Sequence, residues 1–373
     1  MPTTRALAQL GLASLTLVAS ACGGEQDAAG PGSLQATGDE VQARANLTEG
    51  RSDHGSPPIP CGQVDEFPLP STTGSLFPQD IVAGPDGNLW FSTFQSYLGR
   101  ISPFDGSVSL VPIPVGATRL AVARDRHIWM ATSSGVARFS PRRGTFEEIP
   151  IPALGAPVDI TVGPDGNIWA LAFTNVARVT LRGEVTLFPL PSTPFSSSSD
   201  RIVAGPDGNL WYTAGVQLIH RLTLTGVVTD FSVPSSGTIF GLAAGPDDAI
   251  WFTQAGGGPN ENRIGRITTD GVVSTVVQLP DSTLPFPSAP DNMPIDITAG
   301  PDGRMYFTTY LVVPKNYIGA VSPRGQLQRF EIPTAGAASF GITSGPDGNV
   351  WFTENFNNSI GRVEIASCHH HRR

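Results

Sequence analysis

From residue 62 onward the chain repeats itself about every 40 residues, with one bulky aromatic at the same place in each unit. These aromatics are Trp90, Trp129, Trp169, Trp211, Trp251, Tyr306 and Trp351, so there are seven units. A period of that length marks a propeller or solenoid, in which a unit buries its apolar faces only against its neighbours. The unit is clearest at residues 296–308 and 341–353, where two short apolar runs flank Gly-Pro-Asp-Gly. Proline fixes φ at the second turn position, aspartate tolerates the third, and glycine relieves strain where the chain re-enters a strand, which predicts a hairpin. A third strand follows, as at residues 264–267 or 360–363, then a turn with glycine and a fourth strand, as at 188–191 or 277–280. Four strands per unit make one blade, so the predicted fold is all-β, a seven-bladed β-propeller. One aromatic at a fixed strand position in every blade is what packing between blades requires, and it is read here as core rather than as a ligand platform.

The ends of the array indicate how the ring closes. Residues 64–70 match a fourth strand although they precede the first complete unit, and the seventh unit stops after its third strand, at Ile365. The N-terminal strand is therefore predicted to complete the last blade and remove two exposed sheet edges. Cys61 and Cys368 flank these strands. A disulfide between them is expected and would close a loop of roughly 300 residues; Cα atoms much more than about 7 Å apart would speak for two unpaired thiols.

Residues 1–21 carry one arginine and a short apolar stretch, and read as a signal peptide. The segment ending in Ala21-Cys22-Gly23 resembles a bacterial lipobox, which makes Cys22 the expected lipidation site. Gly23 favours the outer membrane, so the chain is expected to be an exported cell-envelope lipoprotein held to the membrane by its lipid alone. Residues 22–62 are poor in groups to bury and read as a flexible tether, residues 63–368 as the propeller, and residues 369–373 as a His/Arg tail. A net charge of -9 excludes a nucleic-acid partner, which basic side chains would have to neutralise. A monomer is expected.

The recurring Ile-Thr-x-Gly-Pro-Asp-Gly-Asn-x-Trp-Phe-Thr with Ile-Gly-Arg-Ile resembles the streptogramin lyase family, over residues 63–367. The resemblance implies a seven-bladed propeller that opens a cyclic depsipeptide ester by elimination, with a divalent cation such as magnesium polarising the substrate. A histidine on Pro-His-x-Ile-Thr and a glutamate after Trp-Phe-Thr would move the protons. The seven histidine positions hold Gln79, Thr118, Val158, Asp200, Phe240, Ile295 and Phe340. The glutamate positions hold Thr93, Thr132, Ala172, Ala214, Gln254, Thr309 and Glu354, so blade seven keeps the acid opposite Phe340. Glu354, followed by Asn355, Asn357 and Asn358, is the one catalytic candidate, and at a strand end it is expected to be exposed.

Two features suggest where a ligand binds. Insertions at residues 192–199, 255–262, 281–294 and 311–316 concentrate on one face, which places a small-molecule or peptide-like ligand near blades five to seven, with Phe286, Tyr310 and Phe340 as contacts. At the mouth of the central channel, blades one to four place Asp80, Arg119, Asp159 and Arg201, and blade six adds Asp296. Alternating sign predicts salt bridges between neighbours; the alternatives are a polar mouth for a ligand or a weak cation site of Asp80, Asp159 and Asp296. No Ser-His-Asp spacing, Cys/His metal cluster or phosphate loop stands out. Two classes of function follow: a tethered binding propeller without the family's histidine, or a carbon-oxygen lyase working through Glu354.

Overall fold

The computed structural model describes residues 62–70, 74–191, 200–214, 217–234, 237–256, 261–279, 293–310 and 316–365. The signal segment, Cys22, the tether, Cys61, Cys368, the C-terminal tail, Phe286 and most of the inserted loops lie outside them.

The described strands form seven four-stranded antiparallel sheets. In blades one to six the four strands follow chain order; blade one, for example, is Pro78–Ala83, Leu89–Thr93, Tyr97–Ile101 and Val108–Pro112. Blade seven takes Ser339–Ser344, Val350–Glu354 and Ser359–Val363 from the C-terminal end and Val64–Pro68 from the N-terminal end, with Phe67 opposite Ile360. The first strands of neighbouring blades touch all the way round, including that of blade seven with that of blade one. The ring therefore closes as the repeat predicts. The closing strand also packs like a native fourth strand: Phe67 stacks on Trp351 at 5.3 Å, as Phe188 stacks on Trp169 and Phe231 on Trp211, each at 5.2 Å. Arg362 ties it further, donating to Asp65 at 2.7 Å.

The repeated motif is a packing unit with three parts. The six tryptophans and Tyr306 are no more than 2% exposed. Burying an indole N–H requires an acceptor, and the turn aspartate supplies it: Asp86 receives Trp90 Nε1–H at 2.9 Å, Asp165 receives Trp169 at 3.0 Å and Asp347 receives Trp351 at 3.0 Å. The arginine of the third strand turns toward the same carboxylate, with Arg178 at 2.7 Å from Asp165 and Arg266 at 2.7 Å from Asp247, and in other blades it lies over the ring, as Arg362 does 5.4 Å from the centroid of Trp351. The glycine before proline is fixed by close approach, since a Cβ on Gly84 would sit 2.2 Å from Trp90 Cδ1. Aspartate in Gly-Pro-Asp-Gly thus does more than tolerate a turn.

Neighbouring blades are joined through the residue after Trp-Phe. The Gly341 N–H donates to Thr353 Oγ1 at 2.9 Å, and that hydroxyl donates to the Gln79 carbonyl of blade one at 3.1 Å. Thr253 and Thr308 repeat the relay to Ile295 and Phe340. Each hydroxyl satisfies one donor and one acceptor beside the channel, where an unpaired group would cost about 1–3 kcal/mol.

Candidate functional site

On the face formed by the turns between second and third strands, blades six and seven bring three aromatics together. Tyr310 ends the second strand of blade six, Phe340 lies in the first strand of blade seven, and Phe356 follows that blade's second strand. Tyr310 meets Phe340 edge-on at 6.0 Å and Phe356 at 6.3 Å. Phe356 is 46% exposed, so the cluster is open to solvent. Phe340 and Tyr310 are brought together as the sequence placed them, whereas Phe356 carried no signal, being a single aromatic in a turn.

Glu354 lies beside this cluster, at the end of the second strand of blade seven, between Ser339 and Ser359 on the flanking strands. It is not the exposed strand-end acid expected from the sequence, for it is 0% exposed. The reason is its register: the position is buried in every blade, and in blades five and six its polar side chain is satisfied by neighbouring chain. Thr309 Oγ1 donates to the Tyr317 carbonyl at 2.7 Å, and Gln254 donates to the Gly237 carbonyl while accepting from Arg263 Nε, both at 2.8 Å. Blade seven has Ser359 where blade five has Arg263, so no guanidinium reaches Glu354. Neither carboxyl oxygen meets a partner at full hydrogen-bonding geometry. Burial pushes the Glu354 carboxyl up to about 9; the nearby Glu66 carboxyl adds to this and the Asn357 amide opposes it. At neutral pH Glu354 therefore holds its proton. Two of the neighbouring asparagines are ties to the start of blade one: Asn355 donates to the Pro78 carbonyl at 3.1 Å, and Asn358 Oδ1 accepts the Leu76 N–H at 2.6 Å.

The channel mouth differs from its expectation. Among the described residues no guanidinium lies within salt-bridge distance of the carboxylates of Asp80, Asp159 or Asp296; backbone N–H groups hold them instead. Asp80 Oδ2 accepts the Leu120 N–H of blade two at 2.7 Å, Asp159 Oδ2 accepts the Ile202 N–H of blade four at 2.8 Å, and Asp296 Oδ1 accepts the Ile297 N–H at 3.0 Å. The carboxylates of Asp80 and Asp159 thus staple neighbouring blades together, which alternating charge alone does not reveal, while that of Asp296 bonds within its own strand. Charge still couples across the ring. Burial raises Asp80 to about 6, opposed by Arg119 and the Leu120 N–H and reinforced by Asp296 and Asp159. Asp159 is raised by burial against the pull of Arg201 and Arg119. Arg119 is shifted upward by the three aspartates, against its own desolvation. Arg201 is shifted downward by burial and by Arg119.

These donors do not fit a magnesium ion. Among the described residues no three His, Cys, Asp or Glu side chains converge as a metal site. Glu354 is protonated, and Asp80 and Asp159 already serve the backbone of a neighbouring blade. His220, in a third strand, is buried with Nδ1 2.8 Å from Asp230, and so belongs to the packing of blade four.

Comparison with known proteins agrees with this architecture. The model of the virginiamycin B lyase family matches residues 47–214 and 144–369. A streptogramin B lyase structure is 28% identical with a TM-score of 0.67, covering 80% of this chain and 96% of its own. Two structures of virginiamycin B lyase from Staphylococcus aureus, one selenomethionine-substituted and one a catalytically inactive His-to-Ala variant with quinupristin, are each 27% identical with TM-scores of 0.67, covering 81% of this chain and 99% of theirs. No curated protein matches the chain. With a seven-bladed ring built on the family's repeat, and family matches that together span the whole propeller, this chain belongs to the virginiamycin B lyase family.

Proposed function

We propose that this chain is an exported, surface-tethered propeller that binds a small-molecule or peptide-like ligand on the loop face at blades six and seven, without the family's proton chemistry. The observation that carries the reading is the state of Glu354. Elimination next to a carbonyl begins with removal of a proton, which needs a positioned base with a pKa near the working pH. Glu354 is an acid at neutral pH, and its partner position is Phe340, which has no proton to exchange. The same residues make a good binding surface. Tyr310, Phe340 and Phe356 present ring faces and edges to a ligand, while the Glu354 carboxyl beside them is buried. Export and tethering rest on residues 1–21 and Cys22.

A second reading, a carbon-oxygen lyase acting through Glu354, is favoured by the 27–28% identity to streptogramin lyases. Mass spectrometry of quinupristin incubated with the purified protein and magnesium separates the two. An intact depsipeptide is expected; linearised product that disappears in Glu354→Ala would establish the lyase.

A further inference from the structure

The loop face carries another recess, whose lining includes neither Glu354 nor the aromatics around it. It is a cleft of 410 Å³ over blades one and two, bounded by Gln79, Phe94, Ala117, Thr118 and Ser133. That volume falls in the range of small-molecule sites, about 300–1,000 Å³. Phe94 is 71% exposed yet firmly placed: its N–H donates to the carbonyls of Leu76 and Phe77 at 3.0 and 3.1 Å. Leu76 is held in turn by Asn358 of blade seven at 2.6 Å. A ring left in water on a fixed backbone is a ready-made stacking face.

The polar groups of the cleft divide into those already engaged and those available. Thr93 Oγ1 donates to the Tyr97 carbonyl at 2.9 Å, and Thr132 Oγ1 pairs with Ser134 Oγ at 3.3 Å, so both are walls. Among the described residues the Thr118 and Ser133 hydroxyls meet no partner, and Gln79, whose Nε2 donates to the Phe77 carbonyl at 3.1 Å, keeps its Oε1 for a donor. No ionisable side chain lines the cleft. Charged ligands would leave their hydration without a counter-charge, which is unfavourable.

We infer that this cleft binds an uncharged saccharide, with one pyranose ring stacked on Phe94 and its hydroxyls paired to Thr118, Ser133 and Gln79 Oε1. Two hydroxyls and an amide oxygen beside a flat ring suit vicinal sugar hydroxyls, each of which both donates and accepts. This site stands apart from the blade-seven reading and does not depend on it.

The test is ligand-observed saturation-transfer NMR and calorimetry on the purified protein, with cellobiose and maltose as probes and an uncharged dipeptide amide as the competing class. Saturation transfer to pyranose ring protons is expected in the wild type and in Glu354→Gln. Phe94→Ala should weaken binding up to about tenfold, the loss of an aromatic stacking contact. Phe94 is exposed, so the variant keeps its fold, and Thr118→Val, which retains shape and removes one hydroxyl, should weaken binding as well. Absence of transfer from either disaccharide at tens of millimolar, affinity unchanged in both variants, or preference for the dipeptide amide would each overturn the assignment.

Discussion

Replacing Glu354 by glutamine tests the electrostatics of blade seven through stability. The carboxyl has a reference pKa of 4.5 and is raised to about 9 in the folded chain. A raised folded pKa means that the native state keeps a proton the unfolded chain releases, so this group's stabilising contribution is complete below pH 4.5 and is lost as pH rises toward 9. Each pH unit in that window changes the balance by about 1.4 kcal/mol, which makes the wild type about 3 kcal/mol less stable at pH 7 than at pH 4.5 from this residue alone. Glutamine carries no such linkage. In a domain of this size the difference is roughly 5–10 °C in midpoint. Thermal unfolding followed by circular dichroism at matched scan rates, from pH 4.5 to 9, gives the comparison: subtracting the Glu354→Gln profile from that of the wild type cancels the other carboxyls. A wild-type midpoint that falls relative to the variant across this range is expected. Parallel profiles would refute the buried, protonated state and return Glu354 to the role of an ionised surface acid.

Other consequences follow from the same structure. Ser359→Arg places a guanidinium at the strand position that Arg263 holds beside Gln254; it should lower the Glu354 pKa and raise the thermal midpoint above pH 7. Asp80→Asn keeps an oxygen for the Leu120 N–H but removes a carboxyl held near pH 6, so the loss of stability that this carboxyl causes between about pH 4 and 6 should vanish in a pH-resolved urea titration. Thr353→Val leaves the Gly341 N–H and the Gln79 carbonyl unpaired across the seam between blades seven and one, and should cost about 2–4 kcal/mol in the same assay. Thr132→Val lies outside both the relay and the closure and should cost less.

Much of the ring was legible in the sequence because propeller repeats write their packing into fixed positions. Trp351, Gly345 and Asp347 recur since an indole, the glycine under it and the acceptor for its N–H must all be present for one blade to pack. The misplaced fourth strand at residues 64–70 was legible for the same reason: Phe67 fills the place over Trp351 that Phe188 fills over Trp169. The site was less legible because its chemistry depends on what is missing around a residue. Glu354 occupies the family's acid position in the one-dimensional pattern, but its protonation follows from burial and from Ser359 standing where another blade has arginine, a comparison across strands. Likewise, Asp80 and Asp159 at the channel mouth alternate with arginines along the chain, yet their carboxylates reach backbone N–H groups of the next blade, which no spacing reveals. The recess beside Phe94 combines side chains from two blades and the links between them, each of them unremarkable in its own repeat.

The central claim is that blade seven presents a protonated acid where elimination needs a base. Carbon-13 NMR of the protein labelled at glutamate carboxyls, with Glu354→Gln to assign the signal, measures this directly. The account predicts a Glu354 resonance that stays in its protonated position through pH 7 and titrates near 9; a carboxyl already ionised at pH 7 would contradict it and make Glu354 available as the base of a lyase.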